Sequence, residues 1–246
     1  MENLSGISNS SNVNDSKAKL FIWLSFFSIA MGVLEAIVVI YMRKLYYPEG
    51  FNFPLKEIEP AIGLAEFIRE AATIVMLFSV GFITGRNRND RFLYFIFCFG
   101  IWDLVYYLFL KLFLDWPSSV FDWDILFLIP FPWVGPVLAP CIVSITMIGI
   151  AVLFLANDSK LSKQNVGLML TGCLVIIYTF CVDYIHLISN SDSRGWVPGS
   201  DRSLFSEINN YIPQHYNWLL FFIGEGFILA AVLLSFLHQR SKSGVT

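Results

Sequence analysis

Long apolar stretches alternate with short polar ones along this chain, on a scale well beyond the period of one amphipathic helix. The apolar runs are Leu20–Tyr41, Ala61–Thr84, Phe92–Leu114, Pro136–Ala156, Val166–Leu187 and Trp218–Leu237. Crossing the hydrocarbon core takes about 20 predominantly apolar residues at 1.5 Å rise each, and every run meets that length. The pattern predicts an all-α integral membrane protein built as a six-transmembrane-helix bundle. Residues 1–18, rich in Ser and Asn, predict a disordered tail, and residues 239–246 a second short tail. The first run is too long for a signal-peptide core and lacks a small-residue cleavage site, so it predicts a retained helix.

Two shorter segments stand apart. Ile125–Trp133 is apolar but too short to span and is punctuated by Pro130 and Pro132. It predicts an interfacial or re-entrant segment in the third loop. In the fifth loop Leu204, Phe205, Ile208, Tyr211 and Ile212 recur at helical spacing after Ser203, and Pro213 ends the run. That spacing predicts an amphipathic helix on the membrane surface.

Composition strengthens the picture. Hydrophobic residues make up 56% of the 246 and charged residues only 14%, against about 25% charged in a soluble domain. Lipid is the better solvent for such a surface. The four cysteines, Cys98, Cys141, Cys173 and Cys181, lie in apolar stretches without a C-x-x-C and read as buried small hydrophobes. No Gly-rich phosphate loop or basic nucleic-acid face is present, so no nucleic-acid partner is expected. The expected partners are membrane lipid and a lipid or small-molecule ligand.

Charge sets the expected orientation. Lys17, Lys19, Arg86, Arg88, Arg91, Lys160, Lys163, Arg240 and Lys242 fall on one side of a six-span topology. Only Arg43, Lys44, Lys56, Arg194 and Arg202 fall on the other, which also holds most of the loop acids. The positive-inside rule then puts both termini in the cytoplasm and the long, aromatic-rich loops outside. Localisation is a cell membrane, multi-pass.

The chemistry lies in ionisable residues within the spans. Glu35, Glu66, Glu70, Asp103, Asp183 and Glu225 are joined by Arg69, Lys111 and His186. A charge at the bilayer centre costs about 2.5–3.5 kcal/mol on insertion scales, so such residues face a bundle interior or a wet cavity. Counting 1.5 Å per residue, Glu35, Glu66, Glu70 and Glu225 all fall roughly 10–15 Å from the outer face. Asp183 and His186 lie nearer to it. Glu66, Arg69 and Glu70 share a helix face, as do Asp103, Tyr107 and Lys111. Six carboxylates against two fixed cations leave a formal charge of −4 with His186 neutral. Protons or a bound cation must balance it.

From this set, Glu70, Asp103 and Glu225 are the candidate catalytic groups. Arg69, Lys111 and Tyr107 are the candidate substrate-binding groups. Glu35, Glu66, Asp183 and His186 are the candidate ligands for a divalent metal ion. The reading that ranks first is a metal-assisted, membrane-embedded enzyme acting on a lipid or anionic headgroup in a net-acidic cavity of the outer half-bilayer. A proton- or cation-coupled transporter ranks second and a non-catalytic membrane subunit third. Asp122 and Asp124, flanked by tryptophans, read as a solvated loop ahead of an extension of the acidic site.

Overall fold

The computed structural model describes residues 3–129, 132–157, 159–190 and 210–243. Its helices are α1 (Asn3–Tyr46), α2 (Pro60–Thr84), α3 (Arg88–Leu114), α4 (Leu138–Ala156), α5 (Lys163–Asn190) and α6 (Trp218–Ser243). Between α3 and α4 lie two strands, β1 (Trp123–Phe127) and β2 (Trp133–Pro136). Six helices among the described residues are long and apolar enough to cross a membrane, and their spans match the six apolar runs. The chain is a multi-pass, mostly helical membrane protein. α1 also runs back to Asn3, through the stretch expected as a tail.

Local chemistry explains several helix ends. Pro60 opens α2, where its missing N–H costs nothing and its fixed φ suits the first turn. α2 stops at Thr84, and three residues later Asn87 caps α3 by accepting the Asp90 N–H at 3.1 Å. Asp90 adds an acidic group in the first turn, where the helix dipole favours it. α3 ends at Leu114, and Asp115 caps it in a left-handed conformation at φ 51°.

α3 is the hub of the bundle and packs against α1, α2 and α4, while α5 and α6 pair with each other. Its span is 50% buried, against 22% for α2. Small residues permit the close approaches. A Cβ on Gly32 of α1 would sit 2.7 Å from the Trp102 carbonyl of α3, and one on Gly172 of α5 would sit 2.6 Å from the Gly224 carbonyl of α6. In lipid, where apolar burial gives no advantage over tails, such tight van der Waals contact is the main source of helix association. The outward faces carry large exposed hydrophobics such as Leu45, Ile83 and Leu219, as a lipid-facing surface does.

The bundle is largely rather than wholly helical. The segment expected as interfacial or re-entrant is an antiparallel ribbon, with Trp123 opposite Pro136, Asp124 opposite Gly135 and Ile125 opposite Val134. Trp, Ile, Phe and Val suit a pleated, half-buried surface. Gly135 lets the Phe180 ring of α5 lie against β2, since a Cβ there would meet that ring at 2.9 Å. Trp133 stacks on the same ring. Of the residues predicted to form the fifth-loop surface helix, 203–209 lie outside the described residues.

Candidate functional site

At the ribbon end of the bundle, α1, α2, α3, β1 and the segment joining α1 to α2 enclose a cavity of about 400 Å³. Its polar lining comes from Glu35 and Arg43 of α1, Lys56 of the joining segment, Glu66, Arg69 and Glu70 of α2, Asp103 of α3 and Asp124 of β1. Apolar and aromatic walls come from Val39, Met42, Tyr46, Tyr47, Phe51, Trp102 and Tyr106 among others.

Arg69 organises the acids. Helical spacing sets Glu66 three residues before it, and its Nε donates to Glu66 Oε2 at 2.7 Å. Its Nη1 donates to Glu35, which joins α1 to α2. Its Nη2 is 3.9 Å from Glu70 Oε1. These four side chains are only 10–21% exposed, so the charges meet largely out of water, where removing one partner is costly. Thr73, one turn on, donates its hydroxyl to the Arg69 carbonyl at 3.0 Å.

Glu70 leaves the cluster by its other oxygen. Oε2 accepts the backbone N–H of Leu128 at 2.8 Å, tying α2 to the chain just beyond β1. Asp103 faces the cavity from α3 and accepts the Ser144 hydroxyl of α4 at 2.7 Å.

A second ion pair closes the site toward the ribbon. Arg43 Nη2 donates to Asp124 Oδ1 at 2.7 Å, with both side chains buried. The Arg43 guanidinium lies 4.2 Å from the Phe51 ring centroid and 3.8 Å from that of Trp116. Burial pushes the Asp124 carboxyl above the usual carboxylate range, while Arg43 and the Ile125 N–H pull the other way. Beside this pair Lys56 sits over the Tyr47 ring at 5.5 Å, and the Lys56 N–H donates to the Tyr47 hydroxyl at 2.8 Å.

The structure brings together five of the ten residues singled out from sequence: Glu35, Glu66, Arg69, Glu70 and Asp103 all line the cavity. The other five lie elsewhere. Lys111 does not pair with Asp103; it bridges to Asp115 at 2.7 Å on an exposed surface, because the chain supplies an acid at i+4 while Asp103 lies about 12 Å away along the helix axis. Tyr107 is buried and adjoins Asp124 but is not part of the lining. Glu225 is buried at the α6–α4 contact, where Oε2 accepts the Thr146 hydroxyl at 3.0 Å. Asp183 meets the Tyr211 hydroxyl, and His186 is exposed. Similar depth in the membrane therefore did not mean a shared site, because α5 and α6 pack on each other rather than on α1 and α2.

Arg43 and Asp124 belong to the site although their sequence context does not announce them. Asp124 reads as a loop acid, yet it is 1% exposed. The available signal was its place inside an apolar run, Trp123 to Phe127, where a charge needs a buried partner. Asp122, two residues earlier, is the loop acid the sequence implied. Burial works to raise its carboxyl, but hydrogen bonds from Ser118 and Ser119 hold it below the ordinary value.

Among the described residues no three His, Cys, Asp or Glu side chains come together as a metal-holding group. Glu35 and Glu66, two of the four expected ligands, are both engaged with Arg69. No family model, curated protein or solved structure matches the chain.

Proposed function

We propose that this membrane protein receives a small-molecule or lipid-derived ligand in the cavity at its ribbon end. We place that end on the extracytoplasmic side and both termini in the cytoplasm, on the strength of the Lys and Arg bias in the loops. The ribbon then lies on the extracytoplasmic side of the bundle.

The observation that carries the reading is the cavity itself. A volume of about 400 Å³, walled by apolar and aromatic side chains with a few converging polar groups, has the form of a small-molecule site. Glu70 and Asp103 are the groups we assign to proton exchange with the ligand. Each has one oxygen held by a neutral donor. Asp103 has no cationic partner among the described residues, and Glu70 has Arg69 only at 3.9 Å; such loosely held carboxylates suit general acid–base work, the enzyme form of the proposal, or proton-coupled movement of the ligand.

A divalent metal is the less favoured version. Arg69 stands between Glu35 and Glu66, and a guanidinium among the ligands opposes a second cation there. Elemental analysis of the purified protein beside a Glu35→Gln, Glu66→Gln variant decides that point.

Gly63 gives a direct test of the cavity and its orientation. It lines the cavity, and a Cβ there meets nothing within 4 Å. In a chain whose native cysteines are replaced, Gly63→Cys is expected to react with a membrane-impermeant thiol reagent added outside intact cells. Reaction only in inverted vesicles overturns the orientation. No reaction on either side overturns an accessible cavity.

A further inference from the structure

We infer that the ligand of this cavity carries an organic ammonium group on an apolar body, an assignment that rests on the cavity reading above. Five carboxylates and three bases line the cavity, a formal charge of −2. The internal pairings are uneven. Arg69 serves Glu35 and Glu66, Arg43 serves Asp124, and Lys56 is exposed over Tyr47. Among the described residues Asp103 is left facing the cavity with no base paired to it, and Glu70 has only a third share of Arg69, at 3.9 Å.

The walls point the same way. Aromatic faces attract cations through their quadrupole, and two of the chain's own cations already use that attraction here. Arg43 lies over Phe51 and Trp116, and Lys56 over Tyr47. Trp102 and Tyr106 of α3 also line the cavity, on the same helix as Asp103. Asp124, 1% exposed and part of the lining, is already held by Arg43 and adjoins Tyr107, so the acid left for a ligand is Asp103 with Glu70.

Size separates an organic cation from a bare ion. About 400 Å³ is within the range of roughly 300–1,000 Å³ for sites that enclose small organic ligands. An ammonium group at Asp103 or Glu70 leaves the Arg69 pairs with Glu35 and Glu66 in place, and Val39, Met42 and Leu126 give the cavity apolar wall for a hydrocarbon part.

The test is calorimetric titration of the protein in lipid nanodiscs, with empty nanodiscs as blank, using hexyltrimethylammonium, hexyl sulfate and 1-octanol. The wild type is expected to bind the ammonium probe about tenfold or more tighter than the other two. Glu70→Gln with Asp103→Asn is expected to erase the preference, and Asp115→Asn, exposed and outside the lining, to keep it. Equal binding of all three probes, or preference for the sulfate, overturns the ammonium assignment and leaves the cavity standing. No binding of the ammonium probe also overturns it. The Gly63→Cys labelling then shows whether the cavity reading falls with it. The comparison among probes uses the wild type alone, so its outcome does not depend on whether any variant folds.

Discussion

Arg43 and Asp124, separated by 81 positions in sequence, form a buried ion pair that joins the end of α1 to the first strand of the ribbon. Two aromatic rings close over the guanidinium, so water has little access to either charge. The pair is costly to assemble and more costly to break.

Removing one partner strands a buried charge. Arg43→Met and Asp124→Leu are each expected to destabilise the protein by about 3–5 kcal/mol. Both changes together are expected to cost less than either alone, since no charge is left stranded. Thermal unfolding in detergent of the two single variants and the double variant checks this.

Glu70 owes its position to a main-chain donor. Glu70→Gln keeps an acceptor for the Leu128 N–H and is expected to change stability by less than about 1 kcal/mol, while Glu70→Ala leaves that donor unpaired at about 1–3 kcal/mol. Denaturant unfolding, with hydrogen exchange at the Leu128 amide, separates the two cases.

Asp122 and Asp124 respond to pH in opposite senses. Asp122 is held below its unfolded value, so its stabilisation is full above about pH 4 and is lost as pH falls through the lower folded value. Asp124 is held above its unfolded value. Its contribution is full below that unfolded value and declines as pH rises through the folded one. The melting temperature of Asp122→Asn is expected to fall less on acidification than that of the wild type. A parallel decline in both proteins overturns the assignment.

Gly172 and Gly224 set the α5–α6 distance. Gly172→Val places atoms where the Gly224 carbonyl now stands and is expected to cost about 1–3 kcal/mol by overpacking. Gly149→Val, at a position open around its Cβ, is the control expected to stay near wild type. Melting curves of both variants decide the matter.

The six spans were legible because lipid imposes a coarse rule, a run of about 20 apolar residues, that each helix obeys on its own. The Glu66–Arg69–Glu70 face was legible for a similar local reason, since i, i+3 and i+4 fix which side chains are neighbours. Helix order around the bundle is a different kind of fact. It depends on pairwise fits such as Gly32 against Trp102, which no single helix records. Glu225 and Asp183 were therefore assigned by depth to a site they do not reach. The ribbon was missed because a short apolar run with prolines reads alike as strand, interfacial segment or re-entrant turn.

The bond from Leu128 to Glu70 is made by the peptide group, whatever side chain stands at 128. Random drift at that position can exchange leucine for almost any residue and leave the tie between α2 and the ribbon intact. Proline alone, having no N–H, would cut it. One half of the contact is therefore shielded from mutation, and its genetic vulnerability rests almost wholly on the codon for Glu70.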